Sequence, residues 1–132
     1  MASYMNHKIH IQGNLATVRL SRKASVEGFS DTAKAIIASP GWMPGFNILS
    51  DYSELDLSQL AGDDMERFAK ALSPYRKSLG NGLCACVSTK PLDFGLGRMW
   101  EVFMEQHSDL RVCIFYDLEK AQKWLLSENK NE

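Results

Sequence analysis

Leu83-Cys84-Ala85-Cys86-Val87-Ser88 is almost wholly apolar, and a second such run follows at Arg111-Val112-Cys113-Ile114-Phe115-Tyr116. Short apolar runs of this kind suit strands covered on both faces, as in the middle of a parallel sheet. Between them, Phe94-Gly95-Leu96-Gly97-Arg98-Met99 reads as the opening of a helix whose stripe is Leu96, Trp100, Phe103 and His107. Asp117 can then cap a last helix carrying Leu118, Ala121, Trp124 and Leu125. Strand, helix, strand, helix is a βαβα unit, and it sets the class as α/β.

Working outward toward the N-terminus, Lys8-Ile9-His10-Ile11-Gln12 alternates polar and apolar, and Ala16, Val18 and Leu20 alternate again. Gly13-Asn14 between them is a turn signal, so the pair predicts a β-hairpin with one solvent-facing side. Val26, Phe29, Ala33, Ile36 and Ile37 share one helical face, and Ser39-Pro40-Gly41 stops that helix near 38. Trp42, Met43, Pro44 and Gly45 form a connector. Phe46-Asn47-Ile48-Leu49 is predicted as a short strand ending at Ser50-Asp51-Tyr52-Ser53. A second helix is expected from Asp56, with Gln59 three residues on and a stripe of Met65, Phe68, Leu72 and Tyr75. Asp63 and Asp64 early and Arg76 and Lys77 late complement its dipole, and Gly80-Asn81-Gly82 ends it. The order is therefore ββαβαβαβα. It predicts a five-stranded mixed sheet flanked by about four helices joined by right-handed crossovers, with a frayed polar tail over 127–132.

With 132 residues the chain has the length of one domain and buries enough surface to need no staple. Fifteen basic residues against sixteen acidic leave a net charge of -1. That balance argues against nucleic acid, which rewards a concentrated positive patch, and against an anionic membrane surface. No apolar run approaches the ~20 residues that span a bilayer, so no membrane insertion is expected. Residues 1–7 lack the pattern of a signal peptide. Three cysteines, an odd number inside apparent strands, read as reduced thiols and point to the cytoplasm.

Several features together resemble one family. They are the Pro40-Gly41-Trp42 connector, a strand ending at Asp51, and the apolar strand at 83–88. After them come Gly95-x-Gly97-Arg98-Met99 and a strand leading to Ala121-x-x-Trp124-Leu125. The chain resembles the small bacterial proteins called SpoIIAA-like, whose fold is shared with STAS domains and, more distantly, with CRAL-TRIO lipid-transfer domains. The resemblance covers about 9–126 and implies a non-enzymatic regulatory or protein-interaction module, with a protein partner or a second copy of itself. In the STAS regulators a partner kinase phosphorylates a serine in an Asp-Ser-Ser-Gly loop at a helix start. Here the matching place reads Asp51-Tyr52-Ser53-Glu54, so the Asp and one Ser carry over and the Gly is absent. Asp51, Tyr52 and Ser53 are the candidate switch or partner-binding loop, expected at one end of the sheet. The alternative is an Asx-type turn.

A second candidate site joins Gly95, Gly97 and Arg98 with Trp42 and Trp100. Backbone N–H groups at a helix start and a guanidinium suit an anion. Aromatic side chains nearby could line an apolar pocket, so the ligand would be small, apolar or amphipathic, and anionic. The alternative is tight helix–sheet packing by the glycines and core cover by the tryptophans. Two glycines without a third are not a dinucleotide fingerprint. His7 and His10 fall on opposite faces of a strand and cannot chelate together. Cys84 and Cys86 share a strand face, with Cys113 on a neighbour, and read as packing instead of a metal site. No nucleophile elbow is present. Neither a catalytic residue, a metal nor a cofactor is expected. Met43 and Met104 are the methionines expected at the surface.

Overall fold

The computed structural model describes residues 5–58 and 60–130, with backbone alone for 91–94 and 128–130. One five-stranded sheet runs in the order β1-β2-β3-β4-β5. Its strands are β1 Asn6–Gln12, β2 Leu15–Lys23, β3 Asn47–Asp56, β4 Leu83–Val87 and β5 Arg111–Phe115. The Gly13-Asn14 turn makes β1 antiparallel to β2, with Gly13 at φ 60°, and all later neighbours are parallel. The helices are α1 Val26–Ala38, α2 Gly62–Leu72, the one-turn α3 Arg76–Leu79, α4 Pro91–His107 and α5 Leu118–Lys130.

Each crossover from β2 to β5 steps to the next strand in the same direction. Right-handed crossovers that all step one way put their helices on one face. Accordingly α1, α2 and α4 cover the face formed by Ala16, Val18, Leu20, Ile48, Cys84, Cys86 and Ile114. The last helix follows the final strand and packs on the opposite face, with Ala121 and Leu125 against Leu49, Ala85 and Val87. Period-two alternation makes β4 serve both layers, which is why 83–87 is apolar throughout.

Several boundaries differ from the sequence expectation. The second helix stops at Leu72 and gives way to a 3-10 turn at Ser73–Tyr75 and then α3, instead of running on to Gly80. The third strand does not stop at Leu49; it continues through Asp56, so Asp51, Tyr52 and Ser53 lie in a strand and not in a loop after it. Pairing with β4 ends at Asp51, whereas pairing with β2 continues to Asp56. The second helix starts at Gly62 instead of Asp56. The Asp56 carboxylate instead accepts from the Ser58 N–H at 2.9 Å, and the Ala61 N–H donates to Asp64 at 2.8 Å. Gln59, proposed as part of that cap, lies outside the described residues. Helix α4 begins at Pro91, a residue pre-set for a first turn, so Gly95 and Gly97 sit in its second turn and not at its start. At the C-terminus α5 stays helical through Lys130, and 131–132 lie outside the described residues.

Candidate functional site

The inward positions of β3 are Ile48, Ser50 and Tyr52, one every second residue. Ile48 pairs with Cys84 and Ser50 with Cys86, so these side chains form rows across the sheet beneath α1 and α4. Past Asp51 the β4 side of β3 is unpaired, and Tyr52 therefore stands at the carboxyl end of the parallel strands. That end is where open α/β sheets place ligands.

An extra residue on β3 marks the same place. Arg19 pairs with Asp51 and Ser21 with Glu54, so two steps on β2 face three on β3. The Ser53 N–H donates to the Asp51 carboxylate at 2.9 Å within this bulge, and Arg19 lies 4.0 Å from the other Asp51 oxygen. Asp51 and Ser53 thus make the Asx-type bond considered in the sequence, built into a β-bulge. Ser53 is half-buried and far from any helix start: α2 begins at Gly62. The free N–H groups that would receive a phosphate are not beside it.

Tyr52 instead joins an aromatic cluster. Phe29 of α1 meets the Tyr52 ring edge-on at 6.4 Å, the Phe68 ring of α2 at 5.0 Å and the Trp100 ring of α4 at 5.2 Å. An apolar cleft lies over this cluster, bounded by Leu55, Leu57, Met65, Leu96, Gly97 and Ile114. Deeper, against the sheet, a second space of about 50 Å³ is lined by Ser50, Thr32, Cys84, Met104 and the same Phe29, Tyr52 and Trp100. Trp100 is 3% exposed, and its indole N–H makes no hydrogen bond of normal geometry but stands against the Tyr52 hydroxyl and the Cys86 thiol. The Cys86 thiol donates to the Tyr52 hydroxyl at 3.6 Å, and Cys84 and Cys86 have their sulfurs 3.9 Å apart. Burial, and then the two neighbouring thiols, push the Tyr52 phenol well above its ordinary value, with the Trp100 indole acting the other way. The hydrogen bond with Cys86, followed by burial, raises Cys84.

The glycine-arginine element has a packing role. A Cβ on Gly97 would lie 3.1 Å from two γ carbons of Ile114, whereas one on Gly95 would meet nothing within 4 Å. Gly97 therefore lets α4 approach β5 closely. Arg98 is exposed and pairs with Glu101 at 3.4 Å. The other Glu101 oxygen accepts the Ile114 N–H at 2.6 Å, which caps the outer edge of the last strand.

Trp42 and Trp100 are not brought together. Trp42 packs edge-on to Phe46 at 5.7 Å and donates its indole N–H to the carbonyl of Ser78 in α3, while Trp100 meets Phe29. Met43 is 59% exposed as expected, but Met104 is buried, because it stands one turn from Trp100 on the inner face of α4. Val26 is 36% exposed and not part of the buried stripe of α1. Cys113 pairs with Ala85 and so faces away from Cys84 and Cys86. Among the described residues no group of three or more His, Cys, Asp or Glu side chains could hold a metal. Nor is any helix among them long and apolar enough to cross a membrane.

Sequence reasoning placed Phe29, Phe68 and Trp100 on separate helix stripes and put Tyr52 in a loop. The missed signal was alternation: Ile48, Ser50 and Tyr52 are at i, i+2 and i+4, and Leu55 is again buried after the bulge.

The molecule is thus an α/β protein with helices on both faces of a mixed sheet and an aromatic cleft at the carboxyl end of its parallel strands. The architecture is SpoIIAA-like, and the resemblance read from the sequence is shown at the level of the fold. The chain is similar to an uncharacterised protein of the DUF3478 family with a SpoIIAA-like fold, from Shewanella loihica PV-4. The two share 18% sequence identity over 95% of this chain and 98% of that one, with a TM-score of 0.58. No family model and no curated protein matches the chain.

Proposed function

We propose that this is a non-enzymatic binding protein whose occupant is a small apolar or amphipathic molecule, held in the cleft between α1, α2 and α4. One observation carries the reading: four aromatic rings from three helices and a strand converge where a parallel sheet offers its ligand position, and they leave an open apolar cleft. The cleft replaces the pocket expected around Trp42 and Arg98. Neither of those residues lines it.

Binding of the neutral fluorophore N-phenyl-1-naphthylamine tests this. Saturable enhancement is expected, weakened about tenfold or more by Leu96→Trp, which fills the half-buried rim of the cleft. Absence of saturable binding, or binding that Leu96→Trp leaves unchanged, would refute the proposal.

The interaction-module role implied by the fold is the second reading. Met99 and Val102 of α4 are 39% and 53% exposed, so the helix that walls the cleft also carries apolar surface outward. In that reading a partner protein docks on α4, with no phosphorylated Ser53 required.

A further inference from the structure

We infer that the open edge of β5 is a docking site for an extended basic segment of another protein, which joins the sheet there as an added strand beside α4. β5 is the last strand in the sheet order and pairs with β4 alone. The Arg111 N–H donates to the Gly82 carbonyl at 3.0 Å, and the Phe115 carbonyl accepts the Ser88 N–H at 2.9 Å. Arg111, Cys113 and Phe115 therefore turn their backbone groups toward β4, while Val112 and Ile114 turn theirs outward. Glu101 takes the Ile114 N–H at 2.6 Å, holding the place that an incoming strand's carbonyl would fill. The Val112 N–H and carbonyl and the Ile114 carbonyl have no partner among the described residues. An unpaired row of this kind is a template for strand addition.

The surroundings of this edge set the chemistry of the segment. An open groove of about 540 Å³ runs beside it, with Val102, Leu110 and Val112 as its apolar lining and Glu101, Glu105 and Asp109 as its acids. Arg111 does not offset them, because its guanidinium lies over the Trp124 ring on the α5 side of the sheet. Asp109 is held by Arg76 and Glu101 by Arg98, but Glu105 has no ion pair among the described residues. Glu101 and Glu105 are one turn apart on α4, a like-charge spacing that is unfavourable until a cation comes between them. Alternate side chains of an added strand turn to one face. One apolar residue would therefore cover Val102, which is 53% exposed, and a Lys or Arg next on that face would reach Glu101 and Glu105. A second copy fits less well: β5 paired with itself about a two-fold axis would set the two acidic rims against each other. The groove shares no lining residue with the cleft over Phe29, so this inference goes beyond the binding role proposed above and does not depend on it.

Fluorescence anisotropy of a labelled peptide of alternating Lys and Val, titrated with the whole protein, tests this. Saturable binding is expected, about tenfold or more tighter than for a peptide of alternating Glu and Val, and weaker as salt rises from about 0.05 M to about 0.5 M. Glu105→Lys should weaken it about tenfold. Val112→Pro removes an outward N–H that β4 does not use, a change edge strands tolerate, and should abolish binding. Methylating the backbone nitrogens of the Lys-Val peptide keeps its side chains and charge but removes its donors. The methylated peptide should bind about tenfold more weakly or worse, and it decides the matter if Val112→Pro does not fold. Leu96→Trp, which fills the cleft, should leave the affinity unchanged within about twofold. Absence of saturable binding, or equal affinity for the basic and acidic peptides, overturns the proposal. Undiminished binding of the methylated peptide also overturns it and leaves only side-chain docking on α4. Loss of binding in Leu96→Trp would put the peptide in the cleft and overturn it too. So would sedimentation of the free protein as a dimer that Val112→Pro splits, which gives the edge to a second copy.

Discussion

Gly97→Ala, set beside Gly95→Ala, measures how closely α4 is drawn onto β5. Both glycines lie in the second turn of the same helix, so both replacements gain helix propensity, about 0.5–1 kcal/mol each. They differ in what the new methyl meets. At Gly95 there is open space, and the full gain should appear as added stability. At Gly97 the methyl would be 3.1 Å from both Cγ1 and Cγ2 of Ile114 and 3.4 Å from its Cδ1. Ordinary contact is about 3.5–4.0 Å, so two carbon pairs must open by roughly half an ångström. Ile114 has little room to give, because its N–H is bonded to Glu101 at 2.6 Å and its strand pairs with β4 through Phe115. Overpacking of this kind costs about 1–3 kcal/mol. Gly97→Ala should therefore be less stable than Gly95→Ala by about 1–3 kcal/mol, and slightly below the parent protein. Urea unfolding of the two variants gives the difference directly. In an Ile114→Ala background the clash is gone, and Gly97→Ala should stabilise by the same amount as Gly95→Ala; the double-mutant cycle then returns the coupling. Equal stabilisation by both alanines in the parent protein would refute the close approach. It would also remove the packing account of the Gly-x-Gly pair.

Two further outcomes follow from buried groups. Tyr52 keeps its proton in the folded state above its ordinary value of 10.0, mainly through burial, whereas in the thiol pair Cys84 is raised and Cys86 lowered by the hydrogen bond between them, so the two thiols oppose each other. The unfolded chain loses the phenol proton first. The Tyr52 contribution to stability is therefore full below about pH 10 and is lost as pH rises beyond it. Urea midpoints taken across that range should decline less steeply at the upper end in Tyr52→Phe, and an identical slope would show that the phenol is not a source of the decline. Glu101→Ala leaves the Ile114 N–H at the sheet edge without its acceptor and should cost about 1–2 kcal/mol, with most of that restored by Glu101→Gln. Hydrogen exchange at the Ile114 amide checks it, since unchanged protection in Glu101→Ala would mean that the carboxylate does not hold the edge.

The elements themselves were legible in the sequence. The Gly13-Asn14 hairpin, the α1 stripe and the doubly apolar β4 and β5 all depend on the period of a strand or helix, which neighbouring residues encode. That is why the order of elements along the chain and the class could be read from residues a few positions apart. The misplaced boundaries have local reasons. Polar Ser50, Asp51 and Ser53 look like the end of a strand. Only the pairing with β2, and a bulge that lets Asp51 satisfy the Ser53 N–H, carries β3 on to Asp56. Gly95 looks like a helix start because glycine so often opens or closes one, yet Pro91 had already begun the turn.

The site lay beyond the sequence because its parts are far apart in it. Phe29, Tyr52, Phe68 and Trp100 each obey their own element's period, and nothing local says that the four rings meet. Right-handed crossovers that step one way along the sheet place α1, α2 and α4 side by side, and this tertiary fact makes the cleft. The same placement separates Trp42 from Trp100, which the sequence had joined in one candidate site, and buries Met104, which was expected at the surface. Sequence periodicity thus determined which face of each element turns inward. Which inward faces touch, and which buried groups meet there, was decided by the packing of three helices on one sheet.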